Sequence, residues 1–214
     1  SCMDQANHYI EHLMFSPNGE QFCFLHRWEI EDGGIYARLY TANIKGGEIY
    51  LLNDSGRVSH FCWRNNEEIM AWCGLKTAVN HLRKHKNIIK FFIQPLLPLY
   101  HKFIQGQSGI RSLVTGDSYV LFIDKGSVKE RVYPKVLKED GHPSFCPKND
   151  ELFVTDTYQD CYNYRHLFIV NIKNGVKTEL TSLRSSPLID DTSIRCDLHP
   201  KWSFDGRYLC VDTV

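Results

Sequence analysis

One short pattern occurs four times in this chain, and it limits what the chain can fold into. The copies are His12-Leu-Met-Phe-Ser-Pro-Asn-Gly19, His60-Phe-Cys-Trp-Arg-Asn-Asn-Glu67, His142-Pro-Ser-Phe-Cys-Pro-Lys-Asn149 and His199-Pro-Lys-Trp-Ser-Phe-Asp-Gly206. Each has a His, an aromatic three residues on, and then a turn. An apolar run follows each time: Phe22–Leu25, Ile69–Cys73, Leu152–Val154 and Tyr208–Val211. Such a unit needs a strand, a tight turn and a returning strand. Ser-Pro-Asn-Gly supplies the turn, with Pro presetting φ and Gly accepting positive φ.

Further strands follow inside the units. Ile35–Ala42 and Glu48–Leu52 flank the turn Lys45-Gly46-Gly47, and His166–Ile172 and Lys177–Leu180 flank Lys173-Asn174-Gly175. Each unit therefore reads as four short strands, and the repeats are 48, 82 and 57 residues apart. Four-stranded units at this spacing predict the blades of a β-propeller. A β-sandwich explains short strands but not the return of His, aromatic and turn at matched offsets. Three units read as complete and a fourth stops after its second strand. An open ring exposes a strand edge. The expectation is therefore a single all-β domain over residues 1–214 that is a partial ring, completed by strands outside this sequence.

Between Glu68 and Asp117 there is no acidic residue, while Lys76, Arg83, Lys84, Lys86, Lys90, Lys102 and Arg111 give this stretch +7. The whole chain balances 25 cations against 25 anions, so the remainder carries −7. Ile88, Ile89, Phe92, Ile93 and Leu96 fall on one helical face. Residues 75–116 are thus expected to be a basic helical insertion in the second blade, either covering the propeller side or meeting a protein partner or an anionic membrane surface. Its apolar run is broken by Lys90, Gln94, Pro95 and Pro98, so it does not read as a membrane span. No recognised motif and no net basic charge point to nucleic acid.

The eight cysteines contain no C-x-x-C pair, and several sit in apolar runs such as Phe22-Cys23-Phe24 and Tyr208-Leu209-Cys210-Val211. They read as core thiols in a reducing compartment. With no charged-then-apolar leader ahead of the first repeat, the expected location is cytoplasmic.

The segments Phe15-Ser-Pro-Asn-Gly19 and Trp202-Ser-Phe-Asp-Gly206 resemble the repeat of TolB-type propellers. The wider pattern is similar to the oligogalacturonate lyase family. It is carried by His12-Leu-Met-Phe-Ser-Pro17, Val58-Ser-His-Phe-Cys-Trp63, Gly141-His-Pro-Ser-Phe-Cys-Pro147 and Leu198-His-Pro-Lys-Trp202. It looks most like relatives of that lyase among bacterial surface-polysaccharide genes. The resemblance implies a propeller acting on uronate oligomers by β-elimination with the help of Mn²⁺. The family's metal is held by a His in a Gly-His segment and by a Gln-x-x-His-x-His segment. Here these correspond to His142 and to Cys196-Asp-Leu-His199-Pro-Lys201. Two ligand positions keep His, the Gln position is Cys196, and the last His position is Lys201.

Elimination needs a base and a positive group to hold the carboxylate as charge builds on it. His12, His60, His142 and His199 stand at equivalent repeat positions, so a ring of blades would bring them to one channel mouth. Arg165, Arg195 and Lys201 add cations suited to an acidic oligosaccharide. The candidate metal set is His142, His199 and Cys196, for a divalent ion such as Mn²⁺; the alternative is no cofactor, with Lys201 opposing a cation. A structural role competes for each His, with Asp156-Thr157 and Asp212-Thr213 as partners in the same units. His26 and Arg27 read as a solvated strand end, and Tyr158 and Tyr162–Tyr164 as packing or sugar-stacking groups. The competing function is a non-catalytic scaffold in polysaccharide assembly.

Overall fold

The computed structural model describes residues 6–30, 34–74, 116–126, 128–132, 136–160, 162–185 and 196–213. Among them are fourteen strands and no helix. They form antiparallel sheets in strict chain order. The first joins β1 (Asn7–Phe15), β2 (Gln21–Ile30), β3 (Gly34–Asn43) and β4 (Ile49–Gly56). The second joins β5 (Val58–Trp63), β6 (Glu68–Gly74), β7 (Asp117–Ile123) and β8 (Val128–Val132). The third joins β9 (Ser144–Cys146), β10 (Asn149–Asp156), β11 (Tyr164–Asn171) and β12 (Lys177–Arg184). A two-stranded sheet of β13 (Lys201–Trp202) and β14 (Leu209–Cys210) begins a fourth unit. Successive four-stranded meanders are propeller blades.

The repeated turns are superposable in their bonding. Gly19 N donates to Ser16 O at 2.8 Å and Gly206 N to Ser203 O at 2.9 Å. In both, the Ser hydroxyl caps the returning strand, through Gln21 N at 3.0 Å and Tyr208 N at 2.9 Å. Gly19 and Gly206 have φ of 72° and 71°, the left-handed conformation that glycine adopts without a Cβ clash.

The blades stack because their strands are apolar on both faces. Ile69, Ala71 and Cys73 of β6 join Cys23, Leu25 and Leu39 of the first sheet. Met70 and Trp72, on the other face of the same strand, join Phe145, Phe153 and Val170 of the third. Strand alternation thus sends one strand into two cores. A third cluster, Val154, Leu167 and Leu198 with Trp202 and Leu209, ties the third sheet to the fourth unit. The first strands meet one another in sequence, β1 with β5, β5 with β9 and β9 with β13. The Trp of the repeat fastens two of these seams. Trp63 Nε1 donates to Met14 O at 3.1 Å, and Trp202 Nε1 to Ser144 O at 3.0 Å.

One expectation falls outside the described residues, and others need correction. The helical insertion at 75–116 and its partner or membrane surface lie outside the described residues, apart from Gly116. Its flanking strands pair directly at Gly74↔Asp117. No described helix is long and apolar enough to cross a membrane. Cys23, Cys62, Cys73 and Cys146 are buried, but Cys210 is exposed and Tyr208 is 68% exposed, because β14 has no further strand against it among the described residues. His26 and Arg27 lie inside β2, which runs on to Ile30, so they are not a strand end.

Candidate functional site

The four repeat histidines form one line across the first strands. Ring centroids are 5.8 Å apart for His12 and His60, 4.3 Å for His60 and His142, and 4.2 Å for His142 and His199. Equivalent positions in successive blades converge at one end of the innermost strands, and the aligned repeats place a His at each.

A carboxylate orients three of the rings through Nδ1. His60 Nδ1 lies 3.0 Å from Asp140 Oδ1, and Asp140 is itself held by Ser59 Oγ and by Gly141 N. His142 Nδ1 lies 2.9 Å from both oxygens of Asp156. His199 Nδ1 lies 3.2 Å from Asp212 Oδ2. An imidazole that gives its Nδ1–H to a carboxylate keeps a lone pair on Nε2, the usual arrangement of a histidine ligand. His12 differs: its Nε2 faces Glu11 at 3.3 Å, and Glu11 pairs with Arg27 at 2.6 Å. Desolvation lowers the His12 pKa, opposed by the charge of Glu11.

Asp156, at the end of β10, joins two units. Its side chain is fully buried. It accepts His142 N at 2.7 Å and, from the fourth unit, Leu198 N at 3.1 Å and His199 N at 3.3 Å. Burial opposes ionisation of this carboxyl, but bonds and charge from His142 outweigh it and hold the pKa below the ordinary value. These bonds also explain why β9 and β13 begin two residues after their histidines. The donors that would start a ladder serve a carboxylate instead. Gly141 permits the approach, since a Cβ there would collide with Asp156 O and Thr155 Oγ1.

Strain marks both ends of the line. His12 has φ 53°, at the register shift between Glu11 and Met14, and His199 has φ 40°. Left-handed backbone at a non-glycine residue is costly and persists where surrounding bonds over-determine it.

His142, Asp197 and His199 offer one donor atom each within 4.8 Å of one another. This group corrects the expected one, for Asp197 takes the place given to Cys196. In extended chain, residues two apart share a side. The Cys196 thiol instead lies 3.7 Å from the Asp197 carbonyl. Asp197 is 8% exposed and its Oδ1 lies 3.5 Å from Arg165 Nε. Arg165 is 4% exposed and also donates to Ser185, so it sits behind the group. Lys201 is exposed on β13 and outside the donor group. Its charge slightly offsets the burial that pushes the Cys62 thiol up to about 12. Arg195 lies outside the described residues. Tyr158 stands beside the line, 6.3 Å from His60 and 5.9 Å from His142, whereas Tyr162 is 74% exposed. Sequence reading named Asp156 and Asp212 as His partners, but it missed Asp140 and Asp197. Both sit two residues before a repeat His, and that adjacency was the available signal.

No family model and no curated protein matches the chain. Solved structures do. An oligogalacturonate lyase in complex with manganese aligns at TM-score 0.52 and 11% identity, over 98% of this chain and 48% of its own. An oligogalacturonate lyase from Vibrio parahaemolyticus aligns at 0.51 and 11%, over 96% of this chain and 47% of its own. The chain therefore spans about half the length of these enzymes. In architecture it has an oligogalacturonate lyase-like fold.

Proposed function

We propose that the histidine line binds an acidic, uronate-containing oligosaccharide together with a divalent cation such as Mn²⁺, and that the bound sugar is cleaved by β-elimination. The observation that carries this reading is the His142–Asp197–His199 group, built over the buried Asp156 in a lyase-like fold. The donors suit the ion. Two imidazoles and one carboxylate are a set that Mn²⁺ accepts, and three protein donors leave positions open for substrate oxygens. A bound dication would polarise the uronate carboxylate and ease loss of the neighbouring proton.

The chain's own groups position the ion and the sugar. Asp156 fixes the His142 ring and the backbone of residues 198 and 199, so one imidazole and the chain that carries the other are set before any ligand arrives. Lys201, with Arg195, supplies positive charge for further carboxylates of the oligomer. His12 and His60 continue the line away from the donor group, and Tyr158 offers an aromatic face to a pyranose ring beside His60 and His142.

The test is incubation of the chain with saturated and unsaturated uronate oligosaccharides, with and without Mn²⁺. Binding is followed by calorimetry and turnover by the ultraviolet absorbance of the unsaturated product. Binding lost in H142A and H199A supports the reading. Wild-type chain that binds neither Mn²⁺ nor any acidic oligosaccharide overturns it.

A further inference from the structure

The carboxylate at His12 stands on a different side of its ring from the others. Asp140, Asp156 and Asp212 each meet Nδ1 of their histidine, which leaves Nε2 for a ligand. Glu11 instead meets Nε2 of His12, at 3.3 Å. It therefore occupies the place that the other three rings keep open. Successive residues of a regular strand point to opposite faces. The register shift between Glu11 and Met14, with His12 at φ 53°, is what brings these two neighbours together. The side chains of Glu11 and His12 are 31% and 46% exposed, so the acid is open to whatever lies along the line.

Charge then divides the line. At the His12 end the cation is Arg27, which Glu11 holds at 2.6 Å, and the two charges cancel. Desolvation favours the neutral form of His12. His60 and Asp140 together sum to zero or to a negative charge, whichever state the imidazole is in. Asp156, beyond them under His142, adds negative charge. Among the described residues this end therefore presents no net positive charge. The cation group and Lys201 of β13 lie at the opposite end. A uronate carboxylate over His12 would face Glu11. To take Arg27 it would have to displace Glu11 and leave that carboxylate partly buried and unpaired, which is unfavourable. A neutral sugar meets no such penalty. Arg27 and His12 both engage Glu11 at Oε1, so a sugar hydroxyl can donate to Oε2.

We propose that the saccharide bound along the line is mixed: a uronate lies at the cation group, and a neutral, hydroxyl-bearing ring lies at the His12 end, where Glu11 turns a second uronate away. The inference rests on the acidic-sugar reading above and names the substrate class of that site. Glu11 is then a specificity residue. Specificity is a difference between two affinities, and a like charge set against the wrong ligand is one way to create it. Tyr158, beside His60 and His142, offers its face to the sugar between the two ends. A pure polyuronate can fill the cation group and extend toward Lys201, but it gains nothing from the His12 end.

The experiment is calorimetry on the full chain, in the presence of Mn²⁺, with three trisaccharides. One is trigalacturonate. In the other two, galactose replaces the galacturonate at one end or at the other. One of the mixed sugars should bind about tenfold more tightly than trigalacturonate, and which one it is gives the direction of the chain along the line. The gap should narrow as salt rises, because Glu11 is partly exposed. In E11Q the acid is gone and Arg27 is released to a carboxylate. Trigalacturonate should then bind more tightly than to wild type, and the gap should close. If E11Q fails to fold, the wild-type ranking and its salt dependence decide. Trigalacturonate that binds as tightly as both mixed sugars overturns the proposal and leaves the site reading standing. A gap that survives in E11Q overturns the role of Glu11. Failure of all three sugars to bind, with or without Mn²⁺, overturns the site reading and this proposal with it.

Discussion

The seam between the first and second blades and the seam between the third blade and the fourth unit are made from the same repeat, yet they are not the same site. Each carries a Trp that donates to the preceding blade's first strand, and each brings two repeat histidines into ring contact. They part at the carboxylates. Asp156 holds donors from both sides of its seam, whereas Glu11 serves His12 and Arg27 of its own blade. Asp197 then adds a ligand oxygen at the later seam. The repeat encodes the frame of every seam. A few acidic residues outside the repeat make one seam a candidate site.

The largest expected effect comes from removing the shared carboxylate. D156A leaves the His142 ring and the three amides that faced Asp156 without an acceptor, and should cost about 3 kcal/mol or more in urea unfolding. E11A removes a partly buried pair that lies within one blade, and should cost about 1 kcal/mol. Equal losses would erase the distinction between the seams. Metal affinity should divide the same way. H199A and D197N should weaken Mn²⁺ binding by about tenfold or more, while H12A leaves it unchanged. A drop in H12A would extend the cation site along the whole line.

The common frame is tested by W63F and W202F. Each loses one hydrogen bond to a neighbouring blade, and each should lose about 1 kcal/mol, since the two bonds are geometrically alike. A large loss in only one would show that the repeat does not fasten the two seams equally.

The smallest effects concern pH, and here the seams separate by range. The Asp156 carboxyl is held below its ordinary value, so its contribution is fully present above the unfolded value of ~3.9 and lost as pH falls through the folded one. His12 also has a lowered pKa, mainly through desolvation, but it is a base. The unfolded chain takes up that proton more readily, so the stabilising contribution of His12 fades as pH drops below ~6.5. In urea unfolding across pH, D156N should flatten the acid limb and H12Q the shallow slope nearer neutrality. The opposite assignment would reverse the burial argument at one seam or the other.

The amino-acid sequence by itself determined the blade plan, because its signals are local. The Ser16–Gly19 and Ser203–Gly206 turns, the two-residue alternation of β6 and the recurring His and aromatic each act within a few residues. Matched offsets also made the convergence of the four histidines legible. The start of β13 at Lys201 was not legible, nor was Asp197 in place of Cys196, nor Arg165 buried behind the donors instead of facing a sugar. Those depend on what lies across a seam, at a separation in the chain that no local pattern reports. Asp156 and His199 are 43 residues apart. Only when the third sheet and the fourth unit pack through Val154, Leu167 and Leu198 does one buried carboxylate reach both histidines.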